Sequence, residues 1–162
     1  MTTGFTQQTL EAITSGEPDW LKSQRLAAWR TFEKLPLPTK RDLEWQRFDI
    51  RALKLDGVSV PSDKPAIAER LTTLSAELGK QGVIFCDMKT AVAKHGDALH
   101  EYLGKSIAPD EPAKFCALHA AFWRNGAFLY VPSNVRVEQP LEVVYEFAGQ
   151  NTAGFPHTLV VL

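Results

Sequence analysis

The strongest constraint in this sequence is a change of hydrophobic period at Asn125-Gly126. Before it, apolar residues recur mostly three or four positions apart, the spacing that lines one face of a helix. After it they fall into short runs broken by turn residues. Ala127–Val131 is apolar, Pro132-Ser133-Asn134 is a turn, Val135-Arg136-Val137-Glu138 alternates, and Gln139-Pro140 breaks the run. Leu141–Phe147 is rich in Val, Tyr and Phe, Ala148–Gly154 reads as a loop, and Thr158–Leu162 is a last apolar run. A helix-period pattern does not settle as a strand, so the two parts call for different local architectures. The sequence predicts an α+β chain, with a mainly helical region over 1–125 and a strand-rich region over 126–162.

The last run is uncharged, and no polar tail or partner strand follows it. A flat apolar edge of that kind pairs with other chains, and few strands precede it. The expectation is a piece of a longer β-rich protein. A terminal strand paired inside a finished sandwich is the other arrangement open to such a run. Exposed, the strand is expected to promote self-association.

Within the helical part, Phe5, Thr6 and Leu10 have the spacing of a hydrophobic staple around an N-cap. Gly16 ends that short helix, and Pro18 opens a second one, where a missing N–H costs nothing. Leu21, Ala28, Phe32 and Leu35 form its stripe, with Trp20 and Trp29 beside it, and Leu35-Pro36-Leu37-Pro38 stops it. Thr39–Leu55 reads as irregular or briefly helical. A third helix is predicted from Asp63 or Pro65, on Ile67, Leu71, Leu74 and Leu78, closed by Gly79. Gly82–Asp87 reads as a short buried strand. Two short helices follow, around Ala91–Lys94 and from Asp97 to Gly104. A last helix starts at Asp110 or Pro112 and carries Phe115, Leu118 and Phe122.

Charge and composition remove several function classes. With 18 basic and 19 acidic residues the net charge is -1, and no Lys/Arg stripe runs along the chain. A nucleic-acid partner is therefore not expected. No apolar run approaches the ~18 residues of a membrane span, and Met1–Leu10 lacks a signal-peptide pattern. Two cysteines, Cys86 and Cys116, make no disulfide framework, and no Asn-x-Ser/Thr acceptor occurs, so a cytoplasmic location is expected.

Residues that could carry chemistry are sparse. Gly104-Lys105-Ser106 resembles the end of a phosphate loop, but Leu99 stands where its first glycine belongs and the lead-in is helical; Gly104 reads better as a helix C′ residue. Cys116 and His119 share a helix face and make half a metal ligand set, without a second pair. Cys86 lies in an apolar run that opposes thiolate formation. Glu138, Glu142 and Glu146 fall on one face if their segment is extended, which is the usual solvent face of a sheet. A glycan hydrolase would need two such carboxylates across a cleft. Trp20, Trp29, Trp45 and Trp123 sit in or beside apolar stripes and read as packing anchors.

Two stretches carry a resemblance. One is Arg25-Leu26-Ala27-Ala28-Trp29 through Phe32-Glu33-Lys34-Leu35-Pro36-Leu37-Pro38-Thr39, then Arg41-Asp42-Leu43-Glu44-Trp45. The other is Phe115-Cys116-Ala117-Leu118-His119-Ala120-Ala121-Phe122-Trp123, followed by Asn125-Gly126-Ala127-Phe128-Leu129-Tyr130-Val131-Pro132 and Pro140-Leu141. Together they resemble the SufB/SufD family of iron–sulfur cluster assembly proteins, and the Leu-Pro-x-Pro segment looks more like SufD. The resemblance implies a helical N-terminal region leading into the first turns of a right-handed parallel β-helix. It further implies a scaffold subunit rather than an enzyme, working with a SufB-like partner and a SufC-like ATPase. The iron–sulfur cluster would be handled, and ATP bound, outside this segment. No catalytic, cofactor-binding or metal residue is carried over, because the family's cluster-handling positions lie further along. A carbohydrate-active β-helix or jelly roll using Glu138 and Glu142, and a small metal protein using Cys116 and His119, remain the competing readings.

Overall fold

Thr6 starts the first helix as the staple spacing requires. Its Oγ1 accepts the Thr9 N–H at 3.1 Å, α1 runs Gln7–Ile13, and Phe5 and Leu10 are both buried. The computed structural model describes residues 4–50, 53–63, 65–104, 113–147 and 149–162. They group into two compact units. One comprises Met1–Lys64, Gly104–Phe122 and Gln150–Ala153; the other comprises Pro65–Leu103, Trp123–Gly149 and Gly154–Leu162.

In the first unit, α2 (Asp19–Lys34) follows Pro18, which holds the N-cap in an extended conformation rather than the first helical position. Its buried residues are Leu21, Arg25, Trp29 and Phe32, while Ala28 and Leu35 are only half-buried. The stripe is thus rotated from the expected one, with Trp29 inside it. Arg25 is 1% exposed. Burying a charge is costly unless every donor finds an acceptor. Here Nε and Nη2 each donate to the Glu17 carboxylate at 2.8 Å, and Nη1 donates to the Ala121 carbonyl at 3.1 Å.

Ala121 belongs to α6 (Lys114–Phe122), which packs on α2. The start that the sequence marks with Asp110 and Pro112 lies outside the described residues, and α6 begins at Lys114. Trp29 stacks on Phe32 at 5.2 Å and meets Phe122 edge-on at 5.6 Å; Phe5 meets Phe122 edge-on at 5.3 Å. Lys114 Nζ closes the C-terminal end of α2. It donates to the Phe32 and Leu35 carbonyls at 2.9 and 2.6 Å and lies 4.2 Å from the Phe32 ring centroid. A cation at a helix C-terminus satisfies orphan carbonyls and suits the dipole. Residues 39–50 carry a 3-10 turn at Leu43–Trp45, whose Trp45 ring lies 5.5 Å from Phe115.

The second unit departs from the sequence reading at its start. In place of a helix on Ile67, Leu71, Leu74 and Leu78, β1 spans Ile67–Leu71 and only α3 (Ala76–Lys80) is helical. The reason is a tertiary partner. β4 (Val143–Phe147) pairs antiparallel with β1, from Ile67 opposite Phe147 to Leu71 opposite Val143. Extended, Ile67, Glu69 and Leu71 alternate onto one face, and the ladder overrides the helix propensity of Ala68-Glu69-Arg70-Leu71. Ser75, which accepts the Leu78 N–H at 3.3 Å, sets the delayed helix start.

The strand at Gly82–Asp87 is present as β2 (Ile84–Asp87), followed by α4 (Met88–Lys94) and α5 (Gly96–Tyr102). Gly104, with φ +82, follows the C-cap Leu103, as a C′ glycine should. β2 runs antiparallel to β3 (Ala127–Tyr130), and β3 runs parallel to β5 (Leu159–Val161). β1 and β4 form a separate two-stranded ribbon. Val135–Glu138, expected as a strand, joins no ladder: Asn134 turns the chain at φ +65 just before it, and Pro140 follows. Met88, Ala91, Leu99, Ala127, Phe128 and Leu159 are buried in this unit.

Arg25→Ala is expected to lower the unfolding free energy by about 2–4 kcal/mol, because it strands the Glu17 carboxylate and the Ala121 carbonyl. Urea denaturation at pH 7 measures it; a change within a few tenths of a kcal/mol would contradict this account of α2 and α6.

Candidate functional site

Gly126 opens β3 at φ +146, and a Cβ there would lie 1.7 Å from the His157 carbonyl oxygen. Only glycine fits such an approach. Its backbone is engaged on several sides. The Met88 N–H donates to the Gly126 carbonyl at 2.9 Å, the His157 N–H donates to the Asn125 carbonyl at 2.8 Å, and the Gly126 N–H donates to Glu69 Oε2 at 2.5 Å.

Glu69 lies mid-way along β1, directly opposite Tyr145 on β4, so the two share a face of the ribbon. The Tyr145 and Thr158 hydroxyls share a hydrogen bond of 2.9 Å just before β5. Burial pushes the Glu69 carboxyl above the usual glutamate range. The nearby Asp87 carboxylate adds to this, while the Gly126 N–H and the Asn125 side chain oppose it.

Asp87 sits at the N-cap of α4 and accepts the Thr90 N–H at 2.8 Å and the Thr90 hydroxyl at 2.7 Å. Burial raises its carboxyl, but the Thr90 and backbone hydrogen bonds outweigh burial and leave it below the usual aspartate range. Next to it, burial and the Asp87 charge push the Cys86 thiol up to about 11, against a smaller pull from Lys94. A thiol so placed is protonated near neutral pH, which disfavours it as nucleophile or metal ligand.

The residues singled out in the sequence do not converge. Cys116 is exposed on α6, and His119 is half-buried one turn further along. Among the described residues, no group of three His, Cys, Asp or Glu side chains is placed to hold a metal ion. Lys105 and Ser106 lie outside the described residues. Glu138 is in no strand and lies 3.3 Å from Arg136; Glu142 precedes β4, and Glu146 on β4 pairs with Arg70 at 2.7 Å. All three glutamates are exposed, so they form no one-strand row lining a cleft. Sequence reasoning passed over Glu69 and Arg25. Glu69 was hidden by the helical reading of its segment. Arg25 had a visible signal, since it stands four residues after Leu21 and four before Trp29.

Comparison with known proteins bears on this same segment. Residues 68–143, from β1 to the first residue of β4, match the SufBD protein N-terminal region. That stretch is similar to the N-terminal region of SufB/SufD family proteins, and the similarity to individual relatives extends over most of the chain. It is 35% identical over 170 residues to the iron–sulfur cluster assembly protein SufD of Bacillus subtilis, which covers 90% of the chain. An iron–sulfur cluster assembly SufBD family protein of Mycobacterium bovis is 31% identical, again over 90% of the chain. SufB of Bacillus subtilis is 28% identical over 98%. The chain spans 39% and 41% of the two Bacillus proteins and 21% of the mycobacterial one. Glu69, Cys86, Asp87 and Gly126 fall inside the SufB/SufD match, whereas Glu17, Arg25 and Tyr145 lie outside it. No helix among the described residues is long and apolar enough to cross a membrane.

Iodoacetamide at pH 7.5 is expected to alkylate exposed Cys116 at least roughly tenfold faster than Cys86 in the folded protein. Raising the pH toward 11 should narrow the gap as the Cys86 thiol ionises. Peptide mass spectrometry against time reads both rates; equal rates at pH 7.5 would remove the assignment of Cys86 as a silent thiol.

Proposed function

We propose that this chain is part of a SufD-like scaffold subunit of an iron–sulfur cluster assembly complex, acting with a SufB-like partner and a SufC-like ATPase in the cytoplasm. On this reading it is not an enzyme by itself, the cluster is cargo, and ATP is bound by the partner. The reading rests most on the alignment of 90% of the chain with SufD of Bacillus subtilis.

The path of the strands supports a further element, the opening of a right-handed parallel β-helix. β3 and β5 are parallel neighbours, and the same sequence offset recurs at the Asn125–Pro156 bridge. β4, which lies between them in sequence, belongs to another sheet. A chain that leaves one sheet, visits a second and returns parallel beside its first strand has made one coil. Stacked coils make a rigid rod whose faces and edges serve assembly, with little call for a private active site.

Co-expression of the gene carrying this sequence with SufB-like and SufC-like subunits is expected to yield one complex on affinity capture. Recovery of the tagged protein alone, with both partners soluble in the lysate, would overturn the proposal. The edge strand generates a second expectation. Val160 and Leu162 are exposed, and β5 lies at the edge of its sheet. The isolated chain should therefore show concentration-dependent association in sedimentation velocity, and Val160→Lys should weaken it. A wild-type species unchanged by dilution would count against a role for that edge.

A further inference from the structure

Seven large hydrophobic side chains are exposed among the described residues, and four of them fall on one short segment: Leu37, Leu43, Phe48 and Leu53. Scattered singly they would need no explanation, whereas several close together mark a surface that another molecule covers. The segment belongs to the first unit, and its own hydrogen bonds hold its shape. Asp42 Oδ2 accepts the Thr39 N–H at 2.6 Å and the Thr39 hydroxyl at 3.1 Å. The Trp45 N–H donates to the Asp42 carbonyl at 2.9 Å, and the Phe48 N–H donates to the Trp45 carbonyl at 3.0 Å. These turns keep Leu43 82% exposed and Phe48 63% exposed. The Trp45 ring joins Phe48 to the body of the unit, lying 6.3 Å from Phe48 and 5.5 Å from Phe115 of α6. The result is an aromatic ledge with a fixed floor and exposed apolar side chains.

We propose that this ledge, Leu43, Trp45 and Phe48 anchored on Phe115, is a docking surface for a partner protein segment that presents apolar side chains flanked by carboxylates. Charge selects that occupant. From Leu37 to Lys54 the sequence has five basic residues and three acidic ones, in a chain whose net charge is -1. Two of the acids are already engaged: Asp42 with Thr39, and Asp49 with Lys40 at 3.7 Å. Arg41, Arg47 and Lys54 are exposed, and the ion pairs among the described residues do not include them. Cations beside an apolar contact steer and select an acidic partner. A second copy docked face to face would set these same cations against each other. An anionic membrane would meet the Asp42 and Asp49 carboxylates, and the backbone here is a three-residue 3-10 turn, not the amphipathic helix that lies in an interface. Ordering this side of the contact costs little, because the turns and the Pro36 and Pro38 rings preset the backbone. The inference concerns residues outside the 68–143 match and does not depend on the scaffold role.

Peptide selection tests the ledge. A random peptide library displayed on phage is panned against the full chain and counter-selected on Leu43→Ser/Phe48→Ser. Enriched peptides should combine large apolar residues with a surplus of Asp and Glu. Once synthesised, they should bind the wild type at least roughly tenfold more tightly than either Leu43→Ser/Phe48→Ser or Arg41→Glu/Arg47→Glu, and added salt should weaken them. All four replaced side chains are exposed, so melting curves of both variants should match the wild type. NMR of the unaltered protein gives a readout free of any variant: the bound peptide should shift the Trp45 indole N–H and the Phe48 amide. Shifts elsewhere with these two unmoved, peptides with no acidic surplus, or equal binding to Leu43→Ser/Phe48→Ser overturn the proposal. Cosedimentation with phosphatidylglycerol vesicles that needs Leu43 and Phe48 would assign the ledge to a membrane and refute the acidic partner. Self-association abolished by Leu43→Ser/Phe48→Ser but not by Val160→Lys would assign it to a second copy and refute it equally.

Discussion

The second unit depends on the close contact between Gly126 and His157. With no Cβ to intervene, the two backbones meet, and β3 and β5 can run side by side from their first residues. That contact leaves the Gly126 N–H and carbonyl aimed in definite directions, and each is answered: the carbonyl by the first residue of α4, the N–H by a carboxylate on β1. Strand pairing, the start of a helix and the seating of the ribbon thus share one residue. Any side chain at 126 would force at least one of them to move.

The first unit is organised around a charge instead. A guanidinium in the centre of a helix face would ordinarily be excluded, since its desolvation outweighs what a single partner returns. Arg25 is tolerated because its planar fork fits the Glu17 carboxylate bidentately and has a further N–H for the Ala121 carbonyl. Such an arrangement tolerates little sliding. It sets α2 against α6 at one register, and the Trp29, Phe32 and Phe122 rings fill the space around it. Lys114 does similar work at the helix end, where two carbonyls would otherwise lack donors.

The two units use their polar side chains in the same way. Their polar chemistry goes into backbone contacts, caps and a buried ion pair. The cysteine in the sheet is kept protonated by its surroundings. The half-buried Glu69 carboxyl accepts a backbone amide. Glu69, Cys86 and Asp87 all lie within residues 68–143, the stretch that matches the SufBD N-terminal region.

Local chemistry alone determined a good deal. The Phe5-Thr6-Leu10 staple, the stop at Leu35-Pro36, the strand before Asp87 and the strands after Gly126 were all legible, because caps, prolines and short apolar runs act within a few residues of themselves. The motifs at residues 25–45 and 115–141 also pointed to the family. Tertiary structure decided the rest. Residues 67–71 have helix-forming composition and helix spacing, and only a partner more than seventy residues away makes them a strand. Val135–Glu138 alternates like a strand but finds no ladder to join. Arg25 becomes a core residue only where Glu17 and Ala121 meet it, and Glu69 matters only because the fold delivers Gly126 to it. Period and capping are written within a few positions of the chain, whereas pairing and burial depend on which distant segment arrives alongside.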